Sequence, residues 1–388
     1  MNSIIHCIFW LSLFLVVYTY AIYPMVLYIL VKVFNKNRIP QNETTIDEDE
    51  LPSVGIIIAA FNEEKDIQAR VENIFACDYP QDKIHLYVGS DGSSDNTNNI
   101  LRNIEDPRLK AHLFEENRGK PSVLNDLVEA SEESILVFSD ANTYFEADAL
   151  KKLARHFTGT QQADAVCGQL KLLKPDGVEN EDNLYWKYEN WLKVNEAKIG
   201  CLLGANGAIY AIRREDYIPI SSDSIIDDFV IVNRLAAQGK IVDYDAEAVA
   251  KEYIPDTIAD EFKRRTRIGR GNYQTLFRYP NFLFNSNILL GFSYLSHKVF
   301  RWLVPHCLIL AFISNAFLLQ IPFYVFTFMC QVFVYALFLG WKKGSLDVSN
   351  SKLLRLMIFW LDMNYALWVG FVQYFSGSSG GAWTRTAR

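Results

Sequence analysis

Long stretches of the sequence contain no charged residue. Residues 3–31 and 302–341 lack Asp, Glu, Lys and Arg altogether, and residues 356–375 contain only Asp362. A helix needs about 20 consecutive apolar residues to cross a hydrocarbon core, so 3–31 predicts one span. Residues 302–341 predict a hairpin of two spans that turns near 320–322. No basic residue precedes the first stretch, which argues against a cleaved signal peptide.

Basic residues flank these uncharged stretches, and they indicate which side faces the cytoplasm. They follow the first stretch and stand at both ends of the hairpin: Lys32, Lys36, Arg38, Lys298, Arg301, Lys342 and Lys343. We therefore expect an integral protein of the cell (plasma or inner) membrane, with the middle of the chain in the cytoplasm. Residues 356–375 have positive charge on both sides, so the sequence leaves open whether they cross the membrane, dip into it or lie at its surface.

Other common signatures are missing as well. The six cysteines show no C-x-x-C spacing, which argues against a zinc site or a disulfide framework. The formal net charge of −7 argues against a nucleic-acid partner. No G-x-G-x-x-G turn follows the first candidate strand, and no G-x-x-x-x-G-K-[ST] loop occurs. A nucleotide would therefore have to bind without a Rossmann turn or a P-loop.

The charged middle of the chain alternates apolar runs with helical patterns. The candidate elements, in chain order, are strand Val54–Ala60, a helix near 63–77 that Asn62 would start, strand His85–Gly89, a helix near 119–131 and strand Ile135–Ser139. This alternation predicts an α/β sheet. Ligands of such sheets bind beyond the carboxyl ends of the strands, where Asn62, Asp91 and Asp140 fall.

Four short motifs follow one another in this middle part. They are Ser90-Asp91-Gly92, Asp140-Ala141-Asn142, Asp227-Asp228 and Arg264-Arg265-Thr266-Arg267. In this order, and between apolar stretches, they resemble the motifs of membrane-embedded family 2 glycosyltransferases similar to hyaluronan, poly-N-acetylglucosamine and cellulose synthases. The resemblance covers roughly 50–275 and extends more loosely to the C-terminal stretches. It implies an α/β domain with the GT-A fold between N- and C-terminal transmembrane helices.

The resemblance implies a nucleotide site made from Ala60, Asn62, Glu63 and Asp91, in which Asp91 accepts the N3–H of uracil. It also places Lys120 near the donor diphosphate, because a cation beside exposed helix N–H groups suits phosphate. Both charged residues have an alternative interpretation. Asp91 could simply belong to a turn, and Lys120 could be an exposed basic residue at a helix start.

Asp140 and Asn142 stand where the family has its D-x-D motif. The resemblance implies that they bind the nucleotide diphosphate through Mg²⁺ or Mn²⁺, and hard cations prefer oxygen ligands. Asn142 replaces the second carboxylate. Its amide oxygen can coordinate a metal but adds no negative charge, so Asp140 is the stronger candidate ligand.

Asp227 and Asp228 precede a helical pattern and match the family's catalytic motif. Inverting transfer needs one base to take the proton of the acceptor hydroxyl, and the resemblance assigns this role to Asp228. The adjacent Asp227 should raise the pKa of one of the two carboxyls, because like charges disfavour joint ionisation. The alternative is an acidic pair that only stabilises a helix N-terminus.

Further residues are implied to contact the acceptor or the leaving diphosphate. Gly204 and Asn206 lie in a small-residue segment that resembles the family's acceptor loop, and Arg264 and Arg267 match the polar positions of its Q/R-x-x-R-W motif. The arginines could instead belong to a basic helix at the lipid surface. In the tail, Trp383 and Arg385 resemble the ending of membrane synthases that returns to the active site; a disordered basic end is the alternative.

These patterns divide the chain into six segments. They are a transmembrane anchor (1–36), an acidic linker (37–51), a GT-A domain (52–255), interfacial helices with the R-x-x-R motif (256–296), a membrane region (297–376) and a Gly/Ser hinge with a tail (377–388).

The expected activity is inverting transfer of a sugar from a UDP-sugar to a membrane-associated saccharide or lipid acceptor, in exopolysaccharide or cell-surface glycan synthesis. Ile268 replaces the family's Trp, which weakens the case for a processive polymerase and leaves single-sugar transfer to a lipid carrier open. A non-catalytic polysaccharide translocation partner with a degenerate nucleotide-binding domain is the alternative from another class. Asn142 and Ile268 would support it.

Overall fold

The computed structural model describes residues 2–35, 48–159, 162–173, 184–253, 258–348 and 351–377. The chain forms two compact units. The helical unit contains residues 1–26, 257–278 and 294–378, and the sheet unit contains residues 27–256 and 279–293. The segment 256–296, predicted as one piece, is thus divided between the two units.

The helices are α1 (Asn2–Val17), α2 (Tyr23–Phe34), α3 (Ile67–Phe75), α4 (Thr97–Asn103), α5 (Lys120–Ala130), α6 (Ala149–Ala154), α7 (Leu184–Lys198), α8 (Asp227–Ala237), α9 (Ile258–Arg278), α10 (Ile288–Ser293), α11 (Phe300–Ala316), α12 (Pro322–Lys342) and α13 (Lys352–Phe375). The strands are β1 (Val54–Ala60), β2 (Ile84–Asp91), β3 (Leu109–Phe114), β4 (Ile135–Asp140), β5 (Tyr144–Phe145), β6 (Ala165–Leu173), β7 (Tyr210–Arg213) and β8 (Val242–Tyr253).

The sheet unit is built on one mixed sheet with the strand order β3-β2-β1-β4-β7-β6-β8-β5. Strands β1 to β4 are mutually parallel where they pair, whereas β7 runs antiparallel to both β4 and β6. The register pairs Ala60 with Ser90 and Ala59 with Asp140. The carboxyl ends of β2, β1 and β4 therefore lie level at one edge of the sheet, as the α/β prediction required.

Strand β1 forms the centre of the parallel part, and all its residues are buried. This explains its continuous β-branched run, since a parallel strand covered on both faces has no polar side. The predicted helix start at Asn62 is wrong, because α3 begins at Ile67. Asn62 has a positive φ of 57°, and its side-chain oxygen accepts a hydrogen bond from the backbone N–H of Ser94 at 2.8 Å. Its side chain therefore binds the neighbouring turn instead of a helix N-terminus.

Helix α5 packs closely on β1 and β2. The contact requires Gly89, because a Cβ atom there would lie 2.3 Å from Cγ1 of Val123. The helix start that carries Lys120 is thereby placed beside the edge where β2 ends.

Among the described residues, three helical runs are long and apolar enough to cross a membrane: Ser3–Phe34, Ile288–Ala316 and Pro322–Lys342. The break predicted near 320–322 is confirmed, since α11 ends before it and α12 begins at Pro322. Helix α13 is continuous over residues 356–375 but is not among these runs. Its only acidic residue, Asp362, forms an ion pair with Lys342 at 2.6 Å.

Helices α9 and α13 pack against each other within the helical unit. Two glycines allow the backbones to approach. A Cβ on Gly370 would lie 2.6 Å from the backbone nitrogen of Arg270, and one on Gly269 would lie 3.2 Å from Cα of Leu367. Small residues at such a crossing permit tight helix packing. The backbones of α9 and α13 are therefore in close contact.

Gly89→Ala should destabilise the protein by about 1–3 kcal/mol, because the added methyl group overpacks the contact with Val123. The free energy of unfolding of the full chain in detergent measures this. Adding Val123→Ala removes the atom that the new methyl group would meet. The double variant should therefore lose less stability than the two single variants together, and simple additivity would contradict the proposed contact.

Candidate active site

Two loops at the carboxyl ends of β1 and β2 are joined by side-chain to backbone hydrogen bonds. The N–H of Asn62 donates to the Ser93 hydroxyl at 3.0 Å, and the N–H of Glu63 donates to the Thr97 hydroxyl at 2.8 Å. Asp95 accepts a hydrogen bond from the N–H of Thr97 at 3.0 Å, at the start of α4. Asn62 and Glu63, both predicted to bind the nucleotide, therefore belong to one cross-linked pair of turns.

Asp91, at the end of β2, is fully buried. One carboxylate oxygen accepts from the N–H of Arg118 at 2.9 Å, and the other accepts from the N–H of Gly119 at 2.8 Å. Gly119 has a φ of 91°, a conformation that glycine adopts without strain. Asp91 thus holds the turn that directly precedes Lys120; its contact with a nucleobase stays a prediction.

Lys120 connects two of the predicted acidic motifs. Its ammonium nitrogen lies 2.8 Å from Oδ1 of Asp140 and 3.3 Å from Oδ2 of Asp227. Burial alone would lower the pKa of Lys120, but the Asp140 and Asp227 carboxylates act against this and raise it. Lys120 is therefore a protonated, largely buried cation between β4 and α8. It is not a solvent-exposed turn residue.

Asp228 faces the same space. A Cβ on Gly207 would lie 3.4 Å from Oδ2 of Asp140 and 3.5 Å from Oδ2 of Asp228, so both carboxylates border this glycine. Burial and the neighbouring Asp227 raise the pKa of Asp228 to about 6, although Lys120 opposes the shift. A carboxyl group with such a pKa suits proton transfer near neutral pH.

Neither acidic residue is the N-cap of α8, which is Ile226. Both belong to the first turn of the helix, where the partial positive charge of the helix dipole favours carboxylates. The positive end of the helix dipole and the ammonium group of Lys120 thus offset the repulsion between the two adjacent, largely buried carboxyl groups.

A buried arginine that the sequence did not reveal supports the Asp140 segment. Arg70 of α3 is fully buried, and it donates to the Ser139 hydroxyl at 2.7 Å. Ser139 in turn donates to the backbone oxygen of Ala208 at 2.7 Å. Burial lowers the pKa of Arg70 to about 9, with Cys77 and Asp140 opposing the shift. Arg70 therefore links the end of β4 to the loop that contains Gly207.

The predicted acceptor loop lies beside α8. Gly204 has a φ of 75°, and a Cβ there would lie 2.5 Å from the ring of Phe229, so only glycine fits this approach. The amide oxygen of Asn206 accepts a hydrogen bond from Lys193 of α7 at 2.5 Å. The loop is therefore fixed between α7 and α8, and it leads directly to Gly207.

The cluster can accept a divalent cation, although not as a site made by the protein alone. Among the described residues no group of three His, Cys, Asp or Glu side chains could hold a metal ion. Three carboxylates, however, face the single ammonium group of Lys120, and the Asp140 side chain is 33% exposed. This excess of oxygen donors and negative charge fits a hard cation whose remaining ligands come from a diphosphate.

Four further predicted site residues lie outside the sheet unit or outside the described residues. Arg264 and Arg267 both lie on α9 in the helical unit, where Arg264 forms an ion pair with Glu261 at 2.9 Å and Arg267 is exposed. Trp383 and Arg385 lie outside the described residues. The roles of these four side chains stay predictions.

Comparison with known proteins shows what this chain is similar to. Residues 55–218 match the family model of glycosyl transferase family 2. The chain is 23% identical over 239 residues to the poly-beta-1,6-N-acetyl-D-glucosamine synthase of Staphylococcus aureus (strain COL), which covers 60% of this chain and 58% of that protein. It is 22% identical over 257 residues to the synthase of Staphylococcus epidermidis, covering 64% and 60%. The chain thus spans about three fifths of the length of these relatives.

Solved structures show the same fold. The mannosyltransferase PcManGT from Pyrobaculum calidifontis, in complex with GDP-Man and Mn²⁺, matches with a TM-score of 0.67 at 20% identity, covering 95% of this chain and 100% of that one. The GT-A fold expected from the motif order is therefore confirmed. The domain that carries Asp91, Asp140 and the acceptor loop is a family 2 glycosyltransferase domain.

Proposed function

We propose that this protein is an inverting glycosyltransferase that moves a sugar from a UDP-sugar to a membrane-associated saccharide or lipid acceptor. The observation that carries the proposal is the convergence of Asp140, Asp227 and Asp228 around Lys120 at the carboxyl edge of the sheet. Sequence likeness to poly-N-acetylglucosamine synthases supports a role in exopolysaccharide or cell-surface glycan synthesis. The likeness to a GDP-mannose enzyme concerns the fold alone.

Asp228 acts as the base in this proposal. It takes the proton of the acceptor hydroxyl while the hydroxyl oxygen attacks the anomeric carbon, and the bond from that carbon to the diphosphate breaks. The attack comes from the side opposite to the leaving group, so the anomeric configuration inverts. Asp227 contributes by raising the pKa of Asp228, and Lys120 limits that rise.

Lys120 binds the donor diphosphate in this proposal. Its ammonium group lies between β4 and α8 and is held by two carboxylates, so a phosphate group could compete for it by charge-assisted hydrogen bonds. A divalent cation bound by Asp140 and Asn142 would add charge that neutralises the diphosphate as the nucleotide leaves. Asp91 keeps the turn before Lys120 in place.

We place the protein in the cell membrane with its sheet unit in the cytoplasm. Three helical runs have the length and apolar character of membrane spans, and basic residues flank the uncharged stretches on the side of the glycosyltransferase domain. This location would give the enzyme access to cytoplasmic nucleotide sugars and to an acceptor held at the membrane.

The general test is a nucleotide-release screen over UDP-sugars, with GDP-mannose as an additional donor, by the purified full chain in lipid nanodiscs. At least one UDP-sugar should be consumed, and EDTA should abolish the activity until Mn²⁺ or Mg²⁺ is restored. Product length then separates polymerisation from single addition.

Nucleotide release no faster than without protein would favour the non-catalytic translocation partner, and release from GDP-mannose alone would contradict the UDP assignment.

Asp228→Asn should lower the turnover number about 10²–10⁴-fold, because the amide cannot accept the proton of the acceptor. Binding of UDP should change little, since the substitution preserves shape. Asp82→Asn, at an exposed position of the same domain, is the matched control and should leave the rate unchanged. A rate for Asp228→Asn equal to that of the unmodified protein would remove the residue from this role.

The ratio kcat/KM should fall as the pH decreases through about 6, because the raised pKa of Asp228 means that the base becomes protonated there. Above this value the carboxylate is charged, so the fall in kcat/KM should end there and the profile should become level. Initial rates between pH 5 and 8 at fixed ionic strength measure the profile. A rate independent of pH down to 5 would show that the base has an ordinary carboxyl pKa or is another group.

A further inference from the structure

Helix α7 directs three charged side chains toward the interior of the sheet unit. Glu189, Lys193 and Glu196 are separated by four and three positions, so they share one face of the helix. Their exposed fractions are 7%, 7% and 0%. Lysine and glutamate are rarely buried in this way unless other groups compensate their charges. The burial of these three charged side chains therefore needs a reason, and packing of the aromatic residues of α7 does not give one.

Lys193 is the member of this face that contacts the acceptor loop. Its ammonium group donates to the amide oxygen of Asn206 at 2.5 Å. Burial lowers the pKa of Lys193. The side chains that oppose this shift lie on three elements: Cys167 on β6, Glu189 and Glu196 on α7, and Asp228 on α8. Lys120, rather than Lys193, is the cation with the larger influence on the proposed base.

The contact decides which way the Asn206 amide points. An ammonium group can only donate hydrogen bonds, so it must face the amide oxygen and cannot face the amide nitrogen. The two N–H donors of Asn206 are consequently left for another partner. Asn206 is half-buried, and it precedes Gly207, beside which the carboxylates of Asp140 and Asp228 lie.

We propose that Lys193 is a positioning residue for the acceptor. It fixes the Asn206 amide so that its N–H donors bind hydroxyl oxygens of an acceptor sugar next to Asp228. The ligand class is a polyhydroxylated, uncharged sugar ring, because paired amide donors suit hydroxyl oxygens. The inference rests on the proposed function and refines its acceptor site. It leaves donor binding to Lys120 and the turns near Asp91.

Asn206→Asp is the sharpest test, because it keeps an oxygen for Lys193 and replaces both N–H donors by a second oxygen. We expect kcat/KM for the acceptor to fall about 10-fold, as for the loss of a hydrogen bond in a desolvated site. Transfer to the acceptor should fall more than transfer to water, because the lost N–H donors contact only the acceptor. The ratio of transfer to acceptor over transfer to water is the readout that a purely structural role would not change.

Lys193→Met removes the ammonium group and should have the same effect on that ratio. In the background of Asn206→Ala, Lys193→Met should add nothing further, since both act through one contact. Lys187→Met is the matched control, because Lys187 is an exposed residue of the same helix. It should behave as the unmodified protein does.

Several outcomes would overturn this inference. Asn206→Asp could leave the acceptor kinetics unchanged, the effects of Lys193→Met and Asn206→Ala could be additive, or both reactions could decline equally. If Lys193→Met fails to fold, as judged by its thermal unfolding midpoint, Asn206→Asp alone decides. If the unmodified protein consumes no donor, the proposed function and this inference both fail. This outcome differs from a failure of the inference alone, because the protein is then inactive before any substitution is made.

Discussion

The ammonium group of Lys120 is the interaction on which the arrangement of the site depends. It lies between Asp140 at the end of β4 and Asp227 at the start of α8, with Asp228 beside them. Carboxylates so close together would repel one another strongly in a largely buried place. One protonated lysine and the first turn of α8 offset part of this repulsion. The charge that remains unbalanced is negative, which favours a divalent cation and the diphosphate that such a cation binds.

The surrounding structure serves to place this lysine and its partners. Asp91 orders the turn before Lys120 through two backbone N–H groups, and Gly89 lets α5 approach the sheet. Arg70 ties the end of β4 to the loop that leads to Gly207 through the Ser139 hydroxyl. Buried polar groups of this kind are costly unless they are paired. They are concentrated here around a small set of residues at one edge of the sheet.

Much of the fold was predictable because its signals are local. The β-branched run Val54–Ala60 is a buried strand as expected, and the acidic motifs lie at the ends of regular elements. The predicted helix start at Asn62 was wrong, because asparagine binds a backbone N–H of a neighbouring turn as readily as it caps a helix. A single sequence does not distinguish these two local partners.

The less predictable residues are those whose partners lie far away in the chain. Arg70 and Lys193 occupy helices in which basic residues usually face solvent, yet both are buried. Spacing on α7 did contain a signal, since Glu189, Lys193 and Glu196 repeat with helical periodicity. A solvated helix face has the same pattern, and the burial of all three side chains decides between the two interpretations. Burial, not residue type, is what the sequence alone did not reveal.

A structure of the full chain in lipid nanodiscs with UDP and Mn²⁺ would test the central claim most directly. Nucleotide density should lie at the carboxyl edge of the sheet, with a phosphate oxygen in hydrogen-bond contact with Lys120 and the metal bound to Asp140. Nucleotide bound elsewhere, or bound at this edge with Lys120 still engaged only by Asp140 and Asp227, would contradict it.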